Sequence, residues 1–243
     1  TKNSSFENRK RTLVLGIDYL NQSDDRRRHK NEFGNKGEIT LDQKEQFKTT
    51  GVYLLNQASY SSGLLLRYGI RYDINNIGIH SDFVKLDKLN PSFGLSYSVS
   101  SRDNIFFSFG TSFETPTLNE LSNNPNGTLC PSTCPKLPSY NEELKSNSSQ
   151  NYEIGWRKSS SNLIIEAVAY ITNSNNEILP FELEQFPGKN FYRNVGSTLR
   201  KGIELSSQFF FNRGKLNLSY TLSKNQFKNF EIDDTNFSDN LIP

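Results

Sequence analysis

Hydrophobic and polar residues alternate with a period of two along most of the chain. The alternation is clearest in residues 64–73, 93–100, 105–113 and 216–223, and noisier in residues 13–20, 49–58, 152–157, 162–172 and 203–211. Successive side chains of a β-strand point to opposite faces, so this period predicts strands and not helices. The pattern predicts about nine strands and no convincing helix.

The predicted connections alternate between short and long. Short turns are predicted at residues 59–63, 100–104, 158–162 and 212–215, and long polar loops near residues 21–45, 73–90, 114–150 and 173–193. Short turns at one end of an up-and-down sheet and long loops at the other are typical of outer-membrane barrels. The predicted strands reach about ten residues, the length that crosses a bilayer when tilted. The alternative is a soluble antiparallel sandwich or lectin with one wet face.

The composition agrees with a membrane barrel. Hydrophobic residues make up only 34% of the 243 residues, and aromatic residues 12%, whereas globular domains carry about 45–50% apolar residues. A barrel needs apolar residues only on its outer face, and aromatic girdles at both interfaces. Candidate girdle residues near predicted strand ends are Tyr19, Tyr72, Phe113, Tyr152, Trp156 and Tyr192. The net charge of +2 gives little support for a nucleic-acid partner.

Three strings carry a family resemblance: FGTSFETPTLNEL (109–121), NYEIGWR (151–157) and NVGSTLRKGIEL (194–205). Weaker strings are GIDY (16–19) and GIRYD (69–73). In order and spacing they resemble the C-terminal barrel of TonB-dependent outer-membrane receptors of the ferric-siderophore and ferric-citrate type, over residues 13–243.

The resemblance implies an all-β, antiparallel transmembrane barrel of about 22 strands, closed by a plug. Residues 1–243 would then be an internal part of one barrel domain, with no plug domain and no TonB box of their own. The implied function is TonB-energised uptake of a ferric siderophore or similar chelate across the cell outer membrane. The implied partners are that chelate, TonB through a missing N-terminal region, and outer-membrane lipid and lipopolysaccharide. Haem, cobalamin, other metals and oligosaccharides are further candidate substrates.

Six charged residues fall on the predicted inner, lumen-facing side of the strands: Arg67, Arg71, Asp73, Glu153, Arg157 and Glu204. One interpretation is that they are solvated lumen residues. The other is that some pair with residues of the plug, because an unpaired charge in a partly desolvated lumen is costly.

The most basic stretch is predicted to lie in a loop and contains Arg26, Arg27, Arg28 and His29. Guanidinium groups suit carboxylate or catecholate ligands and lipid phosphates, which makes these residues candidate ligand-binding residues. The alternative is a solvated loop in which neighbouring aspartates neutralise the arginines. Glu114 and Glu120 are expected to cap or brace the loop around Pro116. One further loop is rich in aromatic residues, and the sequence is compatible with its contacting either a ligand or a neighbouring loop. These residues are Phe181, Phe186, Phe191 and Tyr192.

Cys130 and Cys134 are a candidate disulfide, with a reduced pair as the alternative. A zinc site is not expected, because His29 and His80 are far away in sequence and zinc needs about four ligands. No nucleophile elbow, phosphate-binding loop or zinc-protease motif is present in the sequence. We therefore expect no enzyme activity and no cofactor. Alternative functions are a passive porin, a structural barrel or a secreted β-sandwich binding module.

Overall fold

A computed structural model describes residues 1–6, 8–79, 82–122, 124–125, 140–232 and 235–242. Cys130 and Cys134 lie outside these residues, so their predicted disulfide stays a prediction. Within the described residues, no helix has the length and apolar character needed to cross a membrane.

One antiparallel sheet of ten strands forms the body of the structure, and each strand pairs with the next one of the sheet along the chain. In sheet order the strands are β1 (Lys2–Phe6), β2 (Arg9–Glu32), β3 (Asn35–Tyr60), β4 (Leu64–Ile79), β5 (Asp82–Ser98), β6 (Asp103–Glu114), β7 (Asn147–Ser159), β8 (Leu163–Asn175), β11 (Ser197–Phe211) and β12 (Gly214–Asn229). The up-and-down order confirms the predicted fold class. In the described part of the chain, β1 and β12 are the two edges of the sheet.

Three small elements of the described residues lie outside this sheet. A five-residue helix, α1 (Leu118–Ser122), follows β6, which corrects the expectation of no helix. The pair β9 (Ile178–Glu182) and β10 (Asn190–Asn194) forms a hairpin between β8 and β11. The pair β13 (Glu231–Ile232) and β14 (Thr235–Asn236) follows β12.

The four predicted short turns are confirmed, but two predicted long loops are wrong. Residues 21–45 continue β2 and β3 to a tight turn at Phe33 and Gly34, where φ is 53° and 91°. Most of residues 73–90 likewise belong to β4 and β5. Residues 21–45 are polar on both faces, so they lack the alternating apolar residues by which a strand is recognised. Residues 73–90 do contain apolar residues, such as Ile77 and Val84, but these do not alternate regularly with polar ones. Ion pairs across β2 and β3, such as Arg27–Asp42 and Lys30–Glu38, accompany the backbone ladder there.

The strand register separates an apolar face from a polar face. One row of paired residues runs over seven strands and is apolar throughout: Leu66, Leu95, Phe107, Ile154, Ala169, Ile203 and Leu222. Many apolar side chains on this face are solvent-accessible, for example Leu15 at 68% and Ile17 at 72%. A continuous exposed apolar surface of this kind matches the lipid-facing side predicted from the sequence.

The opposite face is polar and rich in small residues. The adjoining row of paired residues on this side is Thr12, Gln57, Arg67, Gly94, Ser108 and Glu153. All six predicted inner-face charges belong to this polar face, since their paired neighbours share it.

A small hydrophobic core lies at the end of the sheet that carries the long connections. Ile77 and Ile79, on the continuation of the polar face of β4, pack with Leu121 of α1 and with Leu144. Partly buried residues around them are Phe47, Val84, Leu86, Leu118, Tyr140, Ile178 and Tyr192. The described parts of the connection between β6 and β7 therefore fold back over the polar face instead of extending away from it.

Replacing Leu121 by alanine tests this packing. We expect the substitution to lower the local opening free energy of the connection by about 2–5 kcal/mol, because a buried leucine loses its contacts and leaves a cavity. Hydrogen exchange of the amides in residues 118–122 and 140–146 measures the change. Leu20→Ala, at a position that is 51% exposed, is the matched control. Equal exchange rates in the two variants would contradict the packing.

Candidate functional site

Two connections meet at the long-connection end of the sheet. We call residues 115–146, between β6 and β7, loop A, and residues 176–196, between β8 and β11, loop B. The described part of loop A contains α1 and residues 140–146, and loop B contains the β9–β10 hairpin. The small core lies beneath them, with Leu121 and Leu144 from loop A.

Arg26 attaches loop A to the sheet. Its Nη1 lies 3.0 Å from Oε1 of Glu45 on β3, and its Nη2 donates to Oδ1 of Asn119 in α1 at 3.2 Å. Glu45 is buried and also accepts a hydrogen bond from Gln43 at 2.5 Å. Because this carboxylate is buried, removing Arg26 would leave its charge unpaired, which would destabilise the protein.

The other members of the basic run point in different directions. The run lies in β2 and not in a loop, which corrects the predicted location. Arg27 pairs with Asp42 at 3.1 Å on the opposite face from Arg26, and Arg28 is exposed. Nδ1 of His29 lies 3.1 Å from the carbonyl oxygen of Gly37. The four candidate residues are therefore not brought together in a single cluster.

The start of α1 carries reciprocal capping hydrogen bonds. The amide of Thr117 donates to Oε2 of Glu120 at 2.7 Å, and the amide of Glu120 donates to Oγ1 of Thr117 at 3.2 Å. This arrangement is a capping box, which satisfies amides that the first helical turn leaves unpaired. The predicted capping role of Glu120 is confirmed; Glu114 is the last residue of β6.

Two buried or half-buried asparagines join loop A to loop B. Asn141 donates from Nδ2 to the carbonyl of Tyr192 at 3.2 Å, and its own amide donates to the carbonyl of Leu121 at 2.8 Å. Asn194 accepts from the amide of Lys145 at 2.7 Å and donates to the carbonyls of Lys145 and Asn176 at 2.9 and 2.7 Å. The sequence did not predict these bonds, because they link side chains to backbone groups that are distant in sequence.

The aromatic residues of loop B pack on one another. Phe191 is fully buried, and its ring centroid lies 6.0 Å from that of Phe181 and 6.2 Å from that of Phe186. Two cations lie against the rings: the guanidinium carbon of Arg193 is 3.9 Å from the Phe181 centroid, and Nζ of Lys189 is 4.9 Å from that of Phe191. Burial lowers the pKa of Lys189, since desolvation disfavours its charged form. These contacts support packing within the loop, while Phe181 and Tyr192 also border the cleft between the two loops, so a ligand contact stays open for these two residues.

A cleft of about 310 Å³ lies between the two loops. Its lining includes Asn141, Glu143, Lys145, Phe181, Tyr192, Arg193 and Asn194. Lys145 is exposed, and Arg193 is half-buried against Phe181. The cleft thus combines two cationic side chains, one carboxylate (Glu143) and an aromatic wall, and its one excess positive charge suits an anionic or aromatic ligand.

Charged residues of the polar face mostly bond to neighbours in the sheet. Arg67 donates from Nη2 to Oε1 of Gln57 at 2.9 Å, and Glu153 accepts from Ser108 at 3.2 Å. Arg157 forms an ion pair with Glu166 on β8. Glu204 is exposed on the same face.

Arg71 forms the densest charged cluster on the polar face. Its guanidinium lies 2.6 Å from Asp18 and 2.8 Å from Asp73. A Cβ at Gly51 would lie 2.2 Å from Nη2 of Arg71, so glycine allows the guanidinium to lie close to the backbone of β3. Two carboxylates and one guanidinium leave a net charge of about −1 in the cluster, beside a cleft of about 400 Å³.

No group of three or more His, Cys, Asp or Glu side chains suitable for a metal ion occurs among the described residues.

Replacing Asn194 by alanine tests the joint between the loops. We expect the amide of Lys145 to exchange roughly tenfold faster, because the hydrogen bond to Asn194 that protects it contributes about 1 kcal/mol or more. Hydrogen exchange resolved to single residues checks this. Asn217→Ala, at an exposed position of β12, is the control and should leave the Lys145 amide unchanged. Unchanged exchange in Asn194→Ala would contradict the proposed joint.

Comparison with known proteins agrees with this architecture. The family described as TonB dependent receptor-like, beta-barrel, matches residues 2–243. Similar solved structures are the FrpB iron transporter from Neisseria meningitidis (TM-score 0.66, 16% identity, 96% of this chain and 35% of that chain), the copper transporter OprC (0.71, 16%, 92% and 36%) and the ferric-catecholate import receptor Fiu from E. coli K12 (0.63, 15%, 95% and 37%).

At these identities the structural likeness concerns the fold. The chain spans about a third of the length of the solved chains, with 35% of the first and 37% of the third. The family match, by contrast, extends over almost all of the 243 residues. The chain therefore belongs to the TonB-dependent receptor-like β-barrel family, whose members are outer-membrane proteins.

Proposed function

We propose that this chain supplies barrel wall and external loops to an outer-membrane receptor that takes up a ferric siderophore or similar chelate with energy transmitted by TonB. The observation that carries the proposal is a sheet with an apolar outer face and a polar inner face, whose long-connection end alone is covered by joined loops. Similar structures described as an iron transporter, a copper transporter and a ferric-catecholate import receptor support metal uptake as the class of function.

Residues 1–243 would form part of one barrel domain of about 22 strands. In the described part of the chain, β1 and β12 each have a neighbouring strand on one side only. Unpaired backbone groups are not tolerated in lipid, so further strands of the protein would pair with these edges. The plug and the TonB-contacting box would lie outside residues 1–243.

The cleft between loops A and B is the proposed contact site for the chelate. Lys145 and Arg193 would pair with carboxylate or catecholate oxygens, and Tyr192 and Phe181 would contact the organic part of the ligand. Arg26 would act indirectly, since its contacts with Glu45 and Asn119 hold loop A over the sheet. Arg27, Arg28 and His29 would lie outside this cleft.

The polar face would line the lumen and contact the plug. The Arg71 cluster has one carboxylate in excess, so it would attract a basic residue of the plug. Arg67, Glu153, Arg157 and Glu204 would contribute to the same polar lining. The outer face would contact lipid and lipopolysaccharide. We propose neither a chemical step, nor a cofactor, nor a nucleic-acid partner for this chain.

Uptake of iron-55 by cells that carry the full-length protein tests the proposed function. We expect accumulation from ferric citrate or a ferric tris-catecholate to depend on TonB and to stop when a protonophore removes the proton gradient. Equal accumulation in cells with and without TonB would instead indicate a passive porin. Absence of uptake and of binding for every ferric chelate would contradict the proposed substrate class.

Charge removal in the cleft tests the proposed chelate contacts. Lys145→Gln and Arg193→Gln should each weaken binding of an anionic ferric chelate about tenfold, because each removes a charge-assisted hydrogen bond. Equilibrium binding to the purified full-length protein gives the affinities. Lys36→Gln removes an exposed charge near the tip of the β2–β3 hairpin and should leave the affinity unchanged. An equal loss in all three variants would contradict a specific cleft.

A further inference from the structure

Two lysines lie directly opposite each other on the apolar face of the sheet. Lys201 of β11 is paired with Lys224 of β12, and both side chains are exposed. On its other side, Lys201 is paired with Ile171 of β8. Residues paired in this way share a face, so the two ammonium groups lie on the side that carries the lipid-facing residues.

The pair lies at the edge of the apolar band nearest the long loops. On the same face, one step closer to the short turns, lie Ile203 and Leu222, which are 50% and 59% exposed. One step further in that direction lie Leu205 and Tyr220. Successive residues of one face are about 7 Å apart along a strand, so on β11 and β12 the lysines lie one such step from Ile203 and Leu222, on the side of the long loops. With the long connections on the extracellular side, as in the proposed function, this end of the apolar face would meet the headgroups of the outer leaflet.

Among the described residues, neither lysine forms an ion pair or a side-chain hydrogen bond. Glu204 lies on the opposite face of β11, and Asp239 bonds to Gln226 and Lys228 instead. Like charges directly opposite each other in an antiparallel pair destabilise the sheet. A bound anion between the two ammonium groups would remove this repulsion.

The surface beside the lysines is apolar. Ile171, Ile203 and Leu222 adjoin the two lysines on the same face and are 45%, 50% and 59% exposed. Free phosphate would gain nothing from these three side chains, whereas an acyl chain would bury apolar surface against them. The combination of two cations and an adjoining apolar surface therefore fits an anionic amphiphile.

We propose that Lys201 and Lys224 bind a phosphate group of an outer-leaflet lipid, with an acyl chain lying along Ile171, Ile203 and Leu222. The two ammonium groups form charge-assisted hydrogen bonds to the phosphate oxygens. This inference rests on the proposed orientation of the chain in the outer membrane, and it is independent of chelate import.

Titration of the delipidated full-length protein in detergent with lipid A tests the proposal. Each lysine near a charged lipid surface contributes about a fivefold change in affinity, so Lys201→Gln and Lys224→Gln should each weaken lipid A binding about fivefold and the double variant about 30-fold. Lipid A without its phosphates should bind wild type as weakly as intact lipid A binds the double variant. Lys36→Gln is the control and should bind as wild type does. Equal affinities for wild type and the double variant would overturn the proposal.

Two further arms separate the source of the phosphate and exclude misfolding. Millimolar inorganic phosphate should not displace lipid A; displacement would overturn the lipid assignment in favour of a free-anion site. Lys201→Glu should raise the melting temperature in lipid-free detergent, because it replaces a repulsion by an ion pair, and should lose lipid A binding. An unchanged or lower melting temperature would contradict the repulsion from which the proposal is argued.

Chelate binding, measured on the same samples, distinguishes this proposal from the proposed function. The variants at Lys201 and Lys224 should bind ferric chelate as wild type does. If these variants keep both chelate binding and lipid A binding, only the proposed lipid site is overturned. Intact lipid A binding without chelate uptake contradicts the import function alone.

Discussion

The pairing of backbone hydrogen-bonding groups is the constraint on which the whole structure depends. In lipid, every backbone N–H and C=O must find a partner within the protein, which leaves a continuous antiparallel ladder as the form available to this strand-rich chain. Once the strands are paired, successive side chains alternate between the side that meets lipid and the side that lines the lumen. The row from Leu66 to Leu222 and the row from Thr12 to Glu153 show this division on the strands β4 to β7, which carry both rows.

Beyond the membrane the constraint is relaxed, and specific side-chain contacts take over. The β2–β3 hairpin continues in water with polar residues on both faces and with cross-strand ion pairs. Loops A and B are held by a small core and by Asn141 and Asn194, which satisfy backbone groups of the other segments. The candidate ligand cleft depends on this joint, because its walls come from both loops.

The sequence was sufficient for those features that repeat along the chain. Period-two alternation predicted the strands, the short turns and the common face of Arg67, Arg71, Asp73, Glu153, Arg157 and Glu204. It failed for residues 21–45, where both faces are polar and no apolar series marks the strand. It also failed for the contacts of Arg26, Asn141 and Asn194, which join residues far apart in sequence. The opposition of Lys201 and Lys224 depends on the register between two strands, which alternation alone leaves undetermined.

Spin labels on the two faces test the central claim, that one face of this sheet meets lipid and the other lines the lumen. In a background with Cys130→Ser and Cys134→Ser, single cysteines would replace Ile17 and Leu222 on one face and Arg67 and Glu153 on the other, in the full-length protein in lipid bilayers. Paramagnetic relaxation should show high oxygen accessibility at Ile17 and Leu222, and preference for a water-soluble nickel reagent at Arg67 and Glu153. Similar accessibility profiles on both faces would contradict the account.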